Sequence, residues 1–176
     1  YQILKDEITL IYPAGGESME KNETHTFRWD ASHSIGSFKL EISNNNGLSW
    51  TTIDNNIQGH LRFYDYTIPS GSIISGKYKC KISRNGIADT SNNFSIMTIP
   101  NGLKLDWVCG DSAKISWNRV VDATAYKIFK LGNLYMDSIA TVTDTHFVIH
   151  GIQATEEDWF SIASIGNNNA ISRRAY

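Results

Sequence analysis

Ser43-Asn44-Asn45-Asn46-Gly47-Leu48-Ser49-Trp50 is the stretch on which the choice of fold turns. Its spacing, S-x-N-x-G-x-x-W, describes a hairpin that caps itself. Asn46-Gly47 supplies the positive φ values that a tight connection between two strands needs. The Ser43 hydroxyl can bond across the turn, and the Trp50 indole can fold over it. In a propeller such a hairpin would recur with a period of about 40 residues. It occurs once in 176 residues, so it joins two strands of a different architecture.

Outward from this hairpin, short alternating runs recur about every ten residues, separated by Gly, Asn, Ser or Pro clusters, and no stretch has a helical period. Before residue 98 the runs are Glu7–Tyr12, His25–Asp30, Ser37–Ser43, Trp50–Ile57, Arg62–Ile68, Lys77–Ser83 and Asn92–Met97. Period-2 alternation puts Phe27 with Trp29, Phe38 with Leu40 and Ile42, and Tyr78 with Cys80 and Ile82 on inward faces. Thr98-Ile99-Pro100-Asn101-Gly102 reads as the boundary, because Pro followed by Asn-Gly interrupts two strand-rich segments. Beyond it the runs are Leu103–Val108, Ala113–Trp117, Ala125–Leu131, Leu134–Thr141, His146–Ile149, Asp158–Ile165 and one beginning at Ala170. The expected fold is all-β: two tandem antiparallel β-sandwiches, residues 1–98 and 99–176, the second ending within its last strand.

Composition sets limits on function. Apolar content of 41% and charged content of 19% describe a globular chain. A net charge of −2 without a basic stripe argues against a nucleic-acid partner. No apolar run nears the ~18 residues of a membrane span, so membrane insertion is not expected. The sequence opens on Tyr1 without an initiator Met or signal peptide, as a piece of something longer would. The two cysteines, Cys80 and Cys109, fall in different expected units and read as unpaired thiols. The Asn, Ser, Thr and Gly content suits a turn-rich secreted module.

Several motifs carry family resemblances. Ser43–Trp50 resembles the Asp-box hairpin of sialidases, but there is one copy and no arginine cluster for a sugar carboxylate. Ile11-Tyr12-Pro13-Ala14-Gly15-Gly16-Glu17, Phe27-Arg28-Trp29, Leu40-Glu41-Ile42-Ser43, Tyr64-Asp65-Tyr66-Thr67-Ile68-Pro69 and Ile82-Ser83-Arg84-Asn85-Gly86 together resemble the immunoglobulin-like domain of the Ser-Thr-rich, lipid-anchored cell-wall family. Met19, Tyr66 and the asparagines of the box depart from that pattern. In the second half Trp117, Val121–Ile128, Trp159–Ile165 and Ile171–Ala175 resemble strands B, C, F and G of a fibronectin type III domain. Such modules are strung together in large secreted proteins, including peptidases and adhesins exported by type IX secretion. The resemblance therefore implies a non-catalytic, extracellular or cell-surface pair that spaces, adheres or docks. It also implies no cofactor, neighbouring domains of the same polypeptide as partners, and a monomer. The alternatives are a carbohydrate-binding module, and an accessory domain packed on a peptidase catalytic domain.

Candidate chemistry is sparse. Gly110-Asp111-Ser112 echoes an esterase nucleophile block, but Lys114-Ile115-Ser116-Trp117 continues as a strand where that chemistry needs a helix. His146 and His150 flank a strand segment, which separates them by about 13 Å along the chain, and no histidine pair or Asp-rich loop has metal-binding spacing. Ser112, His60, His146, Asp65 and Asp158 are expected on scattered turns, with no nucleophile, base and orienter converging. The one candidate binding surface is aromatic. With Tyr126 and Ile128 inward Phe129 faces out, and with Phe160 and Ile162 inward Trp159 faces out, on strands expected to be neighbours.

Native-state alkylation tests the reading of the thiols. Cys80 is expected to react slowly as a core residue until the chain unfolds. A Cys80–Cys109 disulfide in a non-reducing peptide map would overturn both the burial and the boundary.

Overall fold

In the computed structural model, residues 6–153 and 157–175 are described; Tyr1 and Tyr176, the outer ends of the two expected units, lie outside them. The alternating runs form strands β1 (Ile8–Tyr12), β2 (Ser18–Met19), β3 (Thr24–Ala31), β4 (Ser37–Ser43), β5 (Thr51–Gln58), β6 (Phe63–Thr67), β7 (Ser75–Arg84), β8 (Ile87–Thr90) and β9 (Phe94–Ile96). The later strands are β10 (Lys104–Cys109), β11 (Ser112–Ser116), β12 (Ala125–Leu131), β13 (Met136–Val142), β14 (His146–His150) and β15 (Phe160–Ile165). Sheet order is β1-β3-β6 facing β2-β9-β7-β4-β5, with β8 on β7, then β10-β11-β14 facing β13-β12-β15. A bridged segment extends the last sheet, with Ile171 opposite Ile165 and Ala175 opposite Ile162. Three strands against four is the order that the fibronectin type III resemblance implies for the second half.

Two strands had no readable signal. β2 is two residues long, too short to alternate, and it runs parallel to β9, with Ser18 opposite Ser95 and Met19 opposite Ile96. This parallel pair is an exception to the antiparallel arrangement expected throughout. β8 is the return leg of a tight hairpin at Asn85-Gly86, whose φ values are 50° and 81°. Asn167–Asn169 follow β15 as a tight turn in which Asn168 and Asn169 take positive φ values of 55° and 58°.

The inward residues are those that alternation selects: Phe27, Trp29, Phe38, Leu40, Cys80, Ile82, Ile128 and Ile162 are all buried. Trp29 meets Phe38 edge-on at 5.4 Å, and Trp117 meets Tyr126 at 5.2 Å. Burial pushes the Cys80 thiol far above its ordinary pKa, while Cys109 is exposed and also unpaired.

The hairpin at Ser43–Trp50 has the inferred construction. Asn46 and Gly47 lie at φ 63° and 87°. The Ser43 hydroxyl accepts from the Gly47 amide at 2.9 Å, and the Asn45 side-chain carbonyl accepts from Ser49 N at 2.9 Å. Trp50 closes over the turn and in turn carries the Lys81 ammonium 4.3 Å from its ring. Lys81 also pairs with Glu41 at 2.7 Å, and Lys39 reaches the same carboxylate at 2.6 Å. Burial raises the Glu41 pKa, but the two lysine hydrogen bonds outweigh it and the net shift is downward. At the opposite end Arg84 is fully buried. It holds Asp6 through two nitrogens, donates to the His33 and Ile35 carbonyls and lies over the Phe38 ring at 4.4 Å. The Arg84 hydrogen bond keeps the Asp6 carboxyl below its ordinary value.

The two sandwiches meet through the segment after β15. The Gly166–Ala170 turn sits on β7, with Ala170 and Met97 fully buried. Ser164 Oγ donates to the Thr98 carbonyl, the Asn168 amide reaches Ser75 Oγ at 3.2 Å, and Ile171 N reaches Ser95 Oγ at 3.3 Å. Arg173 pairs with Glu23 at 2.9 Å. The fit depends on two missing side chains. A Cβ on Gly76 would lie 2.5 Å from the Asn168 carbonyl, and one on Gly166 would lie 2.8 Å from both Ile74 and Met97. Core side chains of both halves form one contiguous cluster.

Two substitutions test this architecture. Gly47→Val puts a β-branched residue at positive φ and its Cβ 3.3 Å from the Trp50 ring. A melt should show the first sandwich destabilised by about 1–2 kcal/mol, and an unchanged melt would exclude this turn. Gly76→Val should push the Asn168 turn off β7, so that NMR relaxation reports two separately tumbling halves where the wild type reports one. Gly71→Ala, with open space around the new methyl, is the matched control.

Candidate functional site

β12 and β15 pair antiparallel, with Phe129 opposite Ser161 and Lys130 opposite Phe160. Alternation therefore puts Phe129 and Trp159 on the same outer sheet face, diagonal to each other. Tyr126 and Ile128 are buried on the other face, Phe160 packs partly against the core, and Ile162 is fully buried. Their surroundings differ. Phe129 is half-buried, with the Arg174 guanidinium 5.3 Å and the Lys127 ammonium 6.0 Å from its ring centre. Trp159 is 61% exposed, beside Leu131, whose amide donates to the Trp159 carbonyl at 2.9 Å. Leu134 and Tyr135 are exposed in the β12–β13 turn that follows Leu131. Among the described residues no ring contact joins Phe129 to Trp159. The face is thus an aromatic ring covered by cations at one end and an uncovered indole among aliphatic neighbours at the other.

One pairing corrects the expectation of scattered polar groups. Ser112 at the start of β11 lies directly opposite His150 at the end of β14. Its Oγ is 2.8 Å from His150 Nδ1 and 2.9 Å from Asp111 Oδ1. The sequence places these residues 38 apart, and only strand pairing joins them. Serine, histidine and aspartate are then in contact, with the aspartate against the serine and not behind the histidine. The one hydroxyl proton of Ser112 can go to the Asp111 carboxylate, with His150 Nδ1–H donating to Oγ, or to His150 Nδ1 when the imidazole proton is on Nε2. An activated serine needs the histidine to accept from the hydroxyl and the carboxylate to orient the histidine from behind. All three groups stand at the exposed rim of the second sandwich. Gly110, at φ 59°, makes the preceding turn, as its position between two strands leads one to expect.

His146 is at the far end of β14 from His150. Among the described residues, no three or more His, Cys, Asp or Glu side chains gather where an ion could be held. Asp65 accepts from Thr26 Oγ1 at 2.6 Å and Asp158 pairs with Lys130 at 2.8 Å, so both carboxylates have structural partners. A further exposed surface had no distinct sequence signal. β10 is an edge strand with all six residues exposed, among them Leu105 (59%), Trp107 (42%) and Val108 (57%). Its alternation reads like that of any half-buried strand. What leaves both faces open is its edge position and the register shift between Leu105 and Trp107.

No protein-family model matches the chain, and no curated protein sequence matches it. Solved structures give a likeness of architecture. A two-domain fibronectin type III segment from chicken tenascin is similar over 96% of this chain and 94% of its own, at 12% identity and a TM-score of 0.49. The fibronectin(III)-like modules of Clostridium thermocellum CbhA match over 96% and 90%, at 15% identity and a TM-score of 0.34. Against the chicken CNTN1 FN1-FN3 domains the chain covers 95% of itself but 64% of the other, at 11% identity and a TM-score of 0.40. The two β-sandwiches are read from the strand pairing itself.

Proposed function

We propose that the chain is a non-catalytic pair of modules from a larger extracellular or cell-surface polypeptide, acting as a rigid spacer that docks a partner through the outer face bearing Phe129 and Trp159. Its units are residues 1–98, an immunoglobulin-like domain of the kind found in the cell-wall family, and residues 99–176, a fibronectin type III-like domain. The observation that carries the reading is the docked Gly166–Ala170 turn. It fixes the second sandwich on the first through buried apolar contacts and four polar links, where a flexible tether would leave the halves independent. Such a pair sets a distance and an orientation, as a spacer must. The exposed Trp159, with Leu131 beside it, supplies the kind of aromatic anchor that dominates protein contacts. A second reading, an accessory domain packed on a neighbouring catalytic domain such as a peptidase, is favoured by β10. Three exposed apolar side chains on an unpaired edge suit permanent cover by another domain.

The purified chain is expected to be monomeric and to turn over none of a panel of ester, peptide and glycoside substrates. Turnover abolished by Ser112→Ala would overturn the non-catalytic reading. If the parent protein's neighbouring domains protect Trp107 but not Trp159 from solvent in footprinting, the accessory-domain reading replaces the spacer.

A further inference from the structure

β7 carries its cations in single file. From Lys77 onward the strand alternates without interruption: Tyr78, Cys80, Ile82 and Arg84 are buried, and Lys77, Lys79, Lys81 and Ser83 lie on the opposite, outer face. Neighbouring lysines of the row are therefore about 7 Å apart along one line. β4 adds a fourth cation, since its Lys39 stands opposite Ser83 and diagonal to Lys81. Lys77-Tyr78-Lys79-Cys80-Lys81 is no run of charge in the sequence. The expectation of no basic stripe is corrected by the period of two, which gathers these cations on one face. Glu41 takes Lys39 and Lys81 at 2.6 and 2.7 Å, and Asp54 on β5 turns its carboxylate to the Asn56 amide. Lys77 and Lys79 have no carboxylate partner among the described residues. Four lysines against one paired glutamate leave three positive charges in excess, on a chain whose net charge is −2. The Ser43–Trp50 hairpin borders the whole row. Its Asn46 amide donates to the Lys77 carbonyl at 2.9 Å, the Lys79 stem passes beside Gly47, and the Lys81 ammonium lies 4.3 Å from the Trp50 ring centre.

We propose that this lysine row binds a linear phosphate polymer, laid along β7 and held by its backbone charge alone. Three ammonium groups in line repel one another, and a chain of anions along them relieves that repulsion. A single file of charge matches a linear chain, whereas a bed of lipid headgroups would engage an area. The all-lysine composition selects the kind of anion. Within this molecule a planar carboxylate is met by a guanidinium fork, as Arg84 meets Asp6. An ammonium is instead a point charge, which a tetrahedral phosphate meets from any direction. Single-stranded nucleic acid is gripped by open aromatic rings, and the Trp50 indole is already taken by Lys81 and the Gly47 turn. The hydroxyls of Ser83, Thr90 and Thr52 flank the lysines and can donate to phosphate oxygens. This face shares no residue with the one bearing Phe129 and Trp159, so phosphate binding and partner docking are separate properties.

The experiment is a calorimetric titration of the whole chain with linear inorganic polyphosphate at low and at raised salt. Orthophosphate, polyglutamate of matched charge, oligothymidylate and phosphatidylglycerol vesicles are titrated beside it. Polyphosphate binding is expected, and it should weaken as salt rises. Lys77→Gln and Lys79→Gln should each weaken it roughly fivefold to tenfold at about 0.1 M salt and lower the salt slope by about one, the worth of one phosphate contact. Arg119→Gln, which removes one positive charge from the second sandwich, should change neither. Both lysines lack ion pairs, so unchanged melts of the two variants separate lost binding from lost fold. No polyphosphate binding, or binding indifferent to both lysine variants, would overturn the proposal. So would orthophosphate binding as tight as the polymer's, which excludes the row, or equal polyglutamate binding, which excludes phosphate. Tighter oligothymidylate binding excludes recognition by backbone charge alone, and tighter vesicle binding excludes a linear ligand.

Discussion

The arrangement of the molecule depends on backbone meeting backbone at Gly76. The Asn168 carbonyl and Ala170 amide come so near β7 that a single methyl group would not fit between them. Asn168 and Asn169 both take left-handed conformations, at φ 55° and 58°, to bring the turn into that contact, and Asn tolerates this region better than most residues with a side chain. Once the turn is seated, Ala170 and Met97 are sealed from water, Ser164 reaches Thr98, and Arg173 reaches the acidic pair at Glu20 and Glu23. Each contact is modest, and together they turn two sandwiches into one body.

Charge is managed differently at the two ends of the pair. In the first sandwich the buried ionic groups are satisfied. Arg84 spends its donors on Asp6 and two carbonyls, while Glu41 has two lysines, one of which, Lys81, also lies over the hairpin indole. Saturated networks of this kind specify local geometry, because loss of one member leaves a buried charge alone. Lys127 and Arg174 in the second sandwich have an aromatic ring for company and no counter-charge among the described residues. That contrast separates scaffold from candidate surface more sharply than aromatic content does.

Ser112, Asp111 and His150 are brought together by strand pairing in an order unlike that of a catalytic triad. They touch because β11 and β14 pair in register, and the histidine is at hydrogen-bond distance from the hydroxyl. The aspartate contacts the serine and not the histidine, whereas in a catalytic triad the carboxylate orients the imidazole from behind.

The sequence by itself determined most of the strands, their inward faces and the hairpin, because each depends on neighbours one to eight positions apart, while the two-residue β2 and the return strand β8 left no such signal. Phe27, Trp29, Phe38, Leu40, Tyr78, Cys80 and Ile82 alternate regardless of what they pack on, and Asn46-Gly47 turns the chain regardless of the sheet it serves. It also put Phe129 and Trp159 on outward faces, since a period of two fixes the face once the core positions are known. Tertiary structure alone decided everything that depends on two distant segments meeting. It paired β2 in parallel with β9, set Ser112 opposite His150, left β10 open on both sides and gave Phe129 its two cations. It also formed a groove whose walls lie more than a hundred residues apart, since Gly16 and Arg174 become neighbours only when glycine at 76 lets the second sandwich settle on the first.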